Sequence, residues 1–150
     1  MNAAVEFLRK HIGKDSSLSP SPLMRWLNPV ILSVEEGKLS FQYTVRKEMT
    51  NPLGAMHGGI SAAIIDDAIG AAVYSFGEET FYSTINLAVD YFGRAAENET
   101  VIADATVLKK GRQLVNAQCE IWNAGRSRLI ARGHSNLIKT EMHRQEKTTG

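Results

Sequence analysis

From Gly58 to Phe76 the chain reads GGISAAIIDDAIGAAVYSF, small or apolar on every side of a helical projection. A helix that is apolar all round must be covered on most of its surface. The 150 residues suffice for one core and leave little room for a second. A strongly curved antiparallel sheet wrapped around the helix is the economical cover. A flat sheet would leave the far face of the helix wet unless a second subunit closed it. Asp66 and Asp67 interrupt the run, which falls short of a membrane span, so none is expected.

The flanking sequence supplies the strands. Leu39, Phe41, Tyr43 and Val45 alternate with polar residues, the period of a half-buried strand. Glu35-Glu36-Gly37-Lys38 reads as a hairpin turn, which makes 30–34 the partner strand. Beyond the helix, 81–91, 100–108, 113–122 and 128–138 read as strands. Lys109-Lys110-Gly111-Arg112 and Asn123-Ala124-Gly125 form turns between them. Ala4, Val5, Leu8 and Ile12 have helical spacing and predict a short amphipathic helix over 3–13. A Ser/Pro linker follows, then one helical turn around Met24, Trp26 and Leu27. The expected organisation is an N-terminal helix and linker over 1–27, a main α+β domain over 28–139, and a polar, mobile tail over 140–150.

Composition narrows the function. The formal net charge of +1 gives no reason to expect nucleic acid as a bulk electrostatic partner. Cys119 is the single cysteine, so no intrachain disulfide forms, and a reducing cytoplasmic setting is the simplest expectation. Cys119 shares a strand face with Val115, Ala117 and Ile121, which places it in the core. The N-terminal MNAAVEFLRKHIGKD lacks a basic start followed by a long apolar stretch, so no secretory signal is expected. His11, His134 and His143 show no metal-ligand spacing with each other or with Cys119, and no metal is expected.

Asn51-x-x-Gly54-x-x-His57-Gly58-Gly59, followed by Asp66 within Asp66-Asp67-Ala68-Ile69-Gly70, resembles the signature of hotdog-fold acyl-CoA thioesterases. The nearest branch is the phenylacetic-acid-degradation type. Thr84-Ile85-Asn86-Leu87 and Tyr91 resemble that branch's next strand, and Gly111 falls at its usual hairpin. The likeness runs from about Val30 to Ile138. Relatives often carry Pro soon after the Tyr, where this chain has Gly93-Arg94. The resemblance implies a curved antiparallel sheet around one long helix, and hydrolysis of a CoA thioester without a further cofactor.

Thioester hydrolysis needs a stabiliser for the oxyanion and a group that attacks or activates water. A helix N-terminus has N–H groups without intrahelical partners and a dipole that favours negative charge. Gly58 and Gly59 let a ligand approach that backbone, and the Gly58 N–H is the candidate donor. Asp66 is the candidate nucleophile or general base. Thr84 aligns with a position where relatives carry a hydroxyl, which would help hold Asp66 ionised. The resemblance places Asn51 near the thioester or the attacking water. His57 reads as a cap or substrate contact, and Asn86, two residues beyond Thr84, as a further polar contact on the same strand face. Arg94, Lys110 and Arg112 are candidates for the CoA phosphates. Asp67 lies about 100° round the helix from Asp66, capping a network or facing water at the sheet edge.

Helix geometry adds a deduction of its own. Asp66 lies eight residues beyond Gly58, roughly 12 Å along the axis. One carbonyl carbon cannot touch both groups on the same helix. If both act on one thioester, they come from two chains whose helices lie side by side and antiparallel, in a two-fold dimer with two composite sites. In the family such dimers often pair into tetramers. The competing functions are a hotdog dehydratase or hydratase, whose motif context is absent, and a non-catalytic acyl-CoA-binding or sensing module, which would have no need of Asp66.

Overall fold

The computed structural model describes residues 2–143. Helix α1 spans Ala3–Arg9, with the Asn2 side chain accepting from the Val5 N–H at its start. It ends four residues before the expected boundary. Ile12, which had helical spacing, instead bridges Ile31, and Gly13, at φ +80°, donates its N–H to the Ile31 carbonyl at 2.9 Å. Helix α2 is Pro22–Leu27, capped by Ser21 and stopped by Asn28 in the left-handed region. Then come β1 (Val30–Glu35), β2 (Lys38–Thr44), a 3-10 turn at Lys47–Met49 and the long helix α3 (Gly58–Tyr74). The remaining strands are β3 (Thr80–Tyr91), β4 (Thr100–Lys110), β5 (Leu114–Asn123) and β6 (Leu129–His143). β6 runs past residue 139, so the first residues of the expected tail are paired backbone. The rest of that tail lies outside the described residues.

All six strands form one antiparallel sheet in the order β1-β2-β4-β5-β6-β3. The expected alternation holds. Leu39, Phe41, Tyr43 and Val45 are buried, as are Val115, Ala117, Cys119 and Ile121. The concave face meets Ile64, Ile65, Ala68, Ile69 and Ala72 of α3, none of them accessible to solvent. Each buried isoleucine is worth about 1.5–3 kcal/mol relative to exposure. Many of the facing residues are small (Ala103, Ala105, Ala117, Ala131), so the helix sits close to the sheet. At Gly133 even a methyl group would not fit, because a Cβ there would lie 2.7 Å from Ile65 Cγ2. This is the hotdog architecture, an α+β fold with one long helix held in a curved sheet. Among the described residues, no helix is long and apolar enough to cross a membrane.

The two sheet edges differ. β1 is partly covered by the Ile12 bridge and by α1. Among the described residues β3 pairs only with β6, and its other edge is open along twelve residues. Within β3 the register shifts between Thr84 and Asn86: Thr84 lies opposite Leu137, and Asn86 opposite Asn136. Adjacent residues of β6 point to opposite faces, so this bulge at Ile85 turns Asn86 away from the face that carries Thr84.

Candidate active site

The loop before α3 is folded by Asn51. Its carboxamide oxygen accepts from the N–H groups of Leu53 at 2.9 Å and Ala55 at 3.2 Å, and its own N–H donates to the Ala55 carbonyl at 2.8 Å. Met56 N–H donates to the Ala95 carbonyl at 2.7 Å, and His57 N–H to the Met49 carbonyl at 2.8 Å. The loop thus delivers the chain to the start of α3 along a fixed path. His57 is the N-cap: its Nδ1 accepts from Gly59 N–H at 2.9 Å, which places the neutral ring's proton on Nε2. The His57 carbonyl takes the N–H groups of Ile60 and Ser61. Gly58 N–H is left without an acceptor among the described residues.

Gly58 lines a cavity of about 280 Å³ together with Asn51, Met56, Tyr91, Arg94 and Ile130. One wall is apolar. The mouth carries Arg94, whose guanidinium donates weakly to the Leu53 carbonyl at 3.3 Å. The Arg94 carbonyl is held by Arg128, itself paired with Glu99 at 2.8 Å. Gly93, at the family's departure point, donates its N–H to the Ile130 carbonyl at 3.1 Å, a bond proline cannot make. The cavity therefore combines a free helix-terminal N–H, a carboxamide, a phenol and a cation.

Two turns along α3 lies a second polar group. Thr84 Oγ1 donates to Asp66 Oδ1 at 3.0 Å. Asp66 is half-buried and Thr84 exposed, so the pair opens outward from this chain. Neither lines the cavity beside Gly58.

The other expected contacts are dispersed. Asn86 belongs to the opposite sheet face, where its Oδ1 accepts from Asn136 Nδ2 at 3.1 Å and Asn136 in turn accepts from Asn116. Its expected place beside Thr84 is overturned by the bulge, which strict alternation along the strand could not show. Lys110 pairs with Glu78 and stands over the Phe76 ring, just beyond the C-terminal end of α3. Arg112 follows it in the β4–β5 hairpin, so neither reaches the cavity of its own chain. Among the described residues, no three His, Cys, Asp or Glu side chains gather closely enough to hold a metal ion. Tyr91, in the sequence only a member of the motif, is a cavity wall. The alternation Leu87, Val89, Tyr91 carried that signal.

Asp67 is half-buried, and neither expectation, a capped network or open water at the sheet edge, describes its inner oxygen. Among the described residues its Oδ2 is enclosed without a hydrogen-bond partner, as is the hydroxyl of Tyr43, a core residue of β2 within its electrostatic reach. Burial, and secondarily the neighbouring Asp66 charge, push its carboxyl up from 3.8 to about 7. A carboxyl raised in the folded state contributes stability that is full below its unfolded pKa and lost as pH climbs to the folded one. Wild type should therefore lose stability against Asp67→Asn between about pH 4 and pH 7, by up to about 4 kcal/mol. Melting both proteins across that range checks this, and a difference that stays constant with pH would refute it.

The family model of the thioesterase superfamily matches residues 53–130. Human acyl-coenzyme A thioesterase 13 is 27% identical over 103 residues, covering 69% of this chain and 74% of that protein. Among solved structures, zebra fish thioesterase superfamily member 2 superposes with a TM-score of 0.75 at 25% identity, over 83% of this chain and 92% of that one. The E. coli PaaI protein, from the phenylacetic acid degradation operon, gives 0.76 at 21% identity, covering 85% and 91%. At that identity the likeness is one of fold.

Proposed function

This chain belongs to the thioesterase superfamily, and from that premise we propose that it hydrolyses acyl-CoA thioesters to free acid and CoA at composite sites shared by two copies. The observation that carries this reading is the division of labour along α3. A free N–H stands on a cavity at its first residue, and a threonine-held carboxylate stands roughly 12 Å further on.

In the proposed reaction the thioester carbonyl lies against Gly58 N–H of one copy, with Asn51 Nδ2 beside it. Asp66 of the other copy acts on the opposite side. As general base it takes a proton from water while the water oxygen bonds to the carbonyl carbon. The tetrahedral oxyanion rests on Gly58 N–H, then collapses as the C–S bond breaks, and the proton passes to the leaving sulfur. As nucleophile, Asp66 would instead form a mixed anhydride that water cleaves. Both routes use the same carboxylate, oriented by Thr84. Arg94 at the cavity mouth is the candidate partner for a CoA phosphate. Lys110 is held by Glu78 and the Phe76 ring within its own chain.

Two features support pairing of copies. Gly59, Ala62, Ala63, Asp66 and Gly70 follow helical spacing on the side of α3 that its own sheet leaves open. β3 beside them has an unpaired edge and the exposed side chains of Phe81 and Ile85. A second copy adding its own β3 would close the edge and set the helices side by side.

Thiol release from a panel of aryl and aliphatic acyl-CoAs tests the reaction itself, and binding without release would favour a sensor. Complementation tests the shared site. Asp66→Asn and Gly58→Pro homodimers are each expected to be nearly inactive. After unfolding and refolding together, half the dimers are mixed and each holds one intact site, so about a quarter of wild-type activity returns. No recovery from refolded mixtures that contain mixed dimers would place both groups of a site in one chain.

A further inference from the structure

Gly58 precedes Gly59, and two consecutive glycines leave the helix entrance free to turn unless something fixes it. The peptide unit between them is held at both ends. Its N–H, that of Gly59, donates to His57 Nδ1 at 2.9 Å. Its carbonyl, that of Gly58, accepts from the Tyr91 hydroxyl at 2.7 Å. The tip of the Tyr91 side chain also lies against the glycine, since a Cβ on Gly58 would come within 3.3 Å of the Tyr91 Cζ and hydroxyl oxygen. The tyrosine is itself anchored at the end of β3, opposite Ala131, and the next two N–H groups both donate to the Ile130 carbonyl. The side chain thus bridges the last residue of an edge strand to the first residue of α3.

We propose that Tyr91 is a positioning residue: its hydroxyl locks the Gly58–Gly59 peptide and so sets the direction in which the adjoining Gly58 N–H points into the cavity. The inference rests on the reading of that N–H as the oxyanion donor. A donor that contributes by pre-aligned geometry loses effect steeply when it swings, and a misplacement of about 1 Å can cost ~10²-fold in rate. The Tyr91 hydroxyl acts through the peptide, whereas its ring forms cavity wall. The two roles are separable by substitution.

Tyr91→Phe keeps the ring and removes the hydroxyl. Its kcat on the best acyl-CoA is expected to fall roughly ten-fold, with KM changed by less than about two-fold and the melting temperature unmoved. Affinity for a non-hydrolysable thioether analogue of the same substrate should be unchanged. Tyr91→Leu, which also removes the wall, should add a rise in KM. An unchanged kcat in Tyr91→Phe would overturn the proposal, as would a loss confined to KM. Comparison of Gly58→Pro with Gly58→Ala reports separately on the donor: if those two differ and Tyr91→Phe matches wild type, the donor stands and the tyrosine lock fails.

Discussion

Replacing Asp66 with Asn is expected to lower kcat/KM on acyl-CoA by about 10² or more while the protein keeps its fold. The side chain is half-buried beside Thr84, and the Thr84 Oγ1 bond at 3.0 Å can be made to the amide oxygen as well as to the carboxylate. Packing is therefore conserved, and what disappears is the basic or nucleophilic oxygen. Thr84→Ala should cost less, because the carboxylate remains and only its orientation is loosened. Thiol release, circular dichroism and sedimentation on the same preparations separate chemistry from folding. Wild-type rates in Asp66→Asn would remove Asp66 from the proposed mechanism and leave it a structural carboxylate held by Thr84.

The second large effect concerns a backbone atom, which substitution of side chains normally cannot reach. Gly58 is the first residue of α3, and His57 before it has φ −62° and ψ 140°, a conformation open to a residue that precedes proline. Proline is tolerated at that first helical position because its missing N–H has no intrahelical partner. Gly58→Pro therefore deletes the proposed oxyanion donor and leaves the helix intact. Gly58→Ala is the control. It brings a comparable Cβ against the Tyr91 ring, at 3.3 Å, yet keeps the N–H. The proline variant should be slower than the alanine variant by about 10²–10³ in kcat, the range for loss of one oxyanion donor. Equal rates in the two would show that Gly58 N–H does not carry the oxyanion.

Together the two substitutions test the two ends of the proposed reacting centre, and complementation between them asks whether those ends belong to one chain. Any role for Asp67 belongs elsewhere. Its enclosed carboxyl next to Tyr43 makes stability rather than chemistry its first measurable consequence.

Much of this was legible in the chain itself. Apolar character on all sides of Gly58–Tyr74 required a wrapped helix, and period-two alternation in 39–45 and 115–121 gave the strand faces that wrap it. Turn chemistry placed the hairpins at Gly37 and Gly111. These features are set by side-chain periodicity and backbone sterics, which are local. The motif positions of Gly58, His57 and Asn51 were likewise local, because a helix start and a tight loop are encoded within a few residues. Where a non-local contact intervened, sequence reasoning gave a different answer. Ile12 had the spacing of α1 but left it to bridge β1. Asn86 had the parity of Thr84, but one extra residue in β3 turned it to the other face, since a single insertion inverts every later side chain of a strand. Asp67 had the helical position to cap a network or face water at the sheet edge, but packing encloses its Oδ2 within electrostatic reach of Tyr43 in β2. Only the tertiary structure could bring the end of β3 over the start of α3, 33 positions apart in sequence, and so join Tyr91 to Gly58.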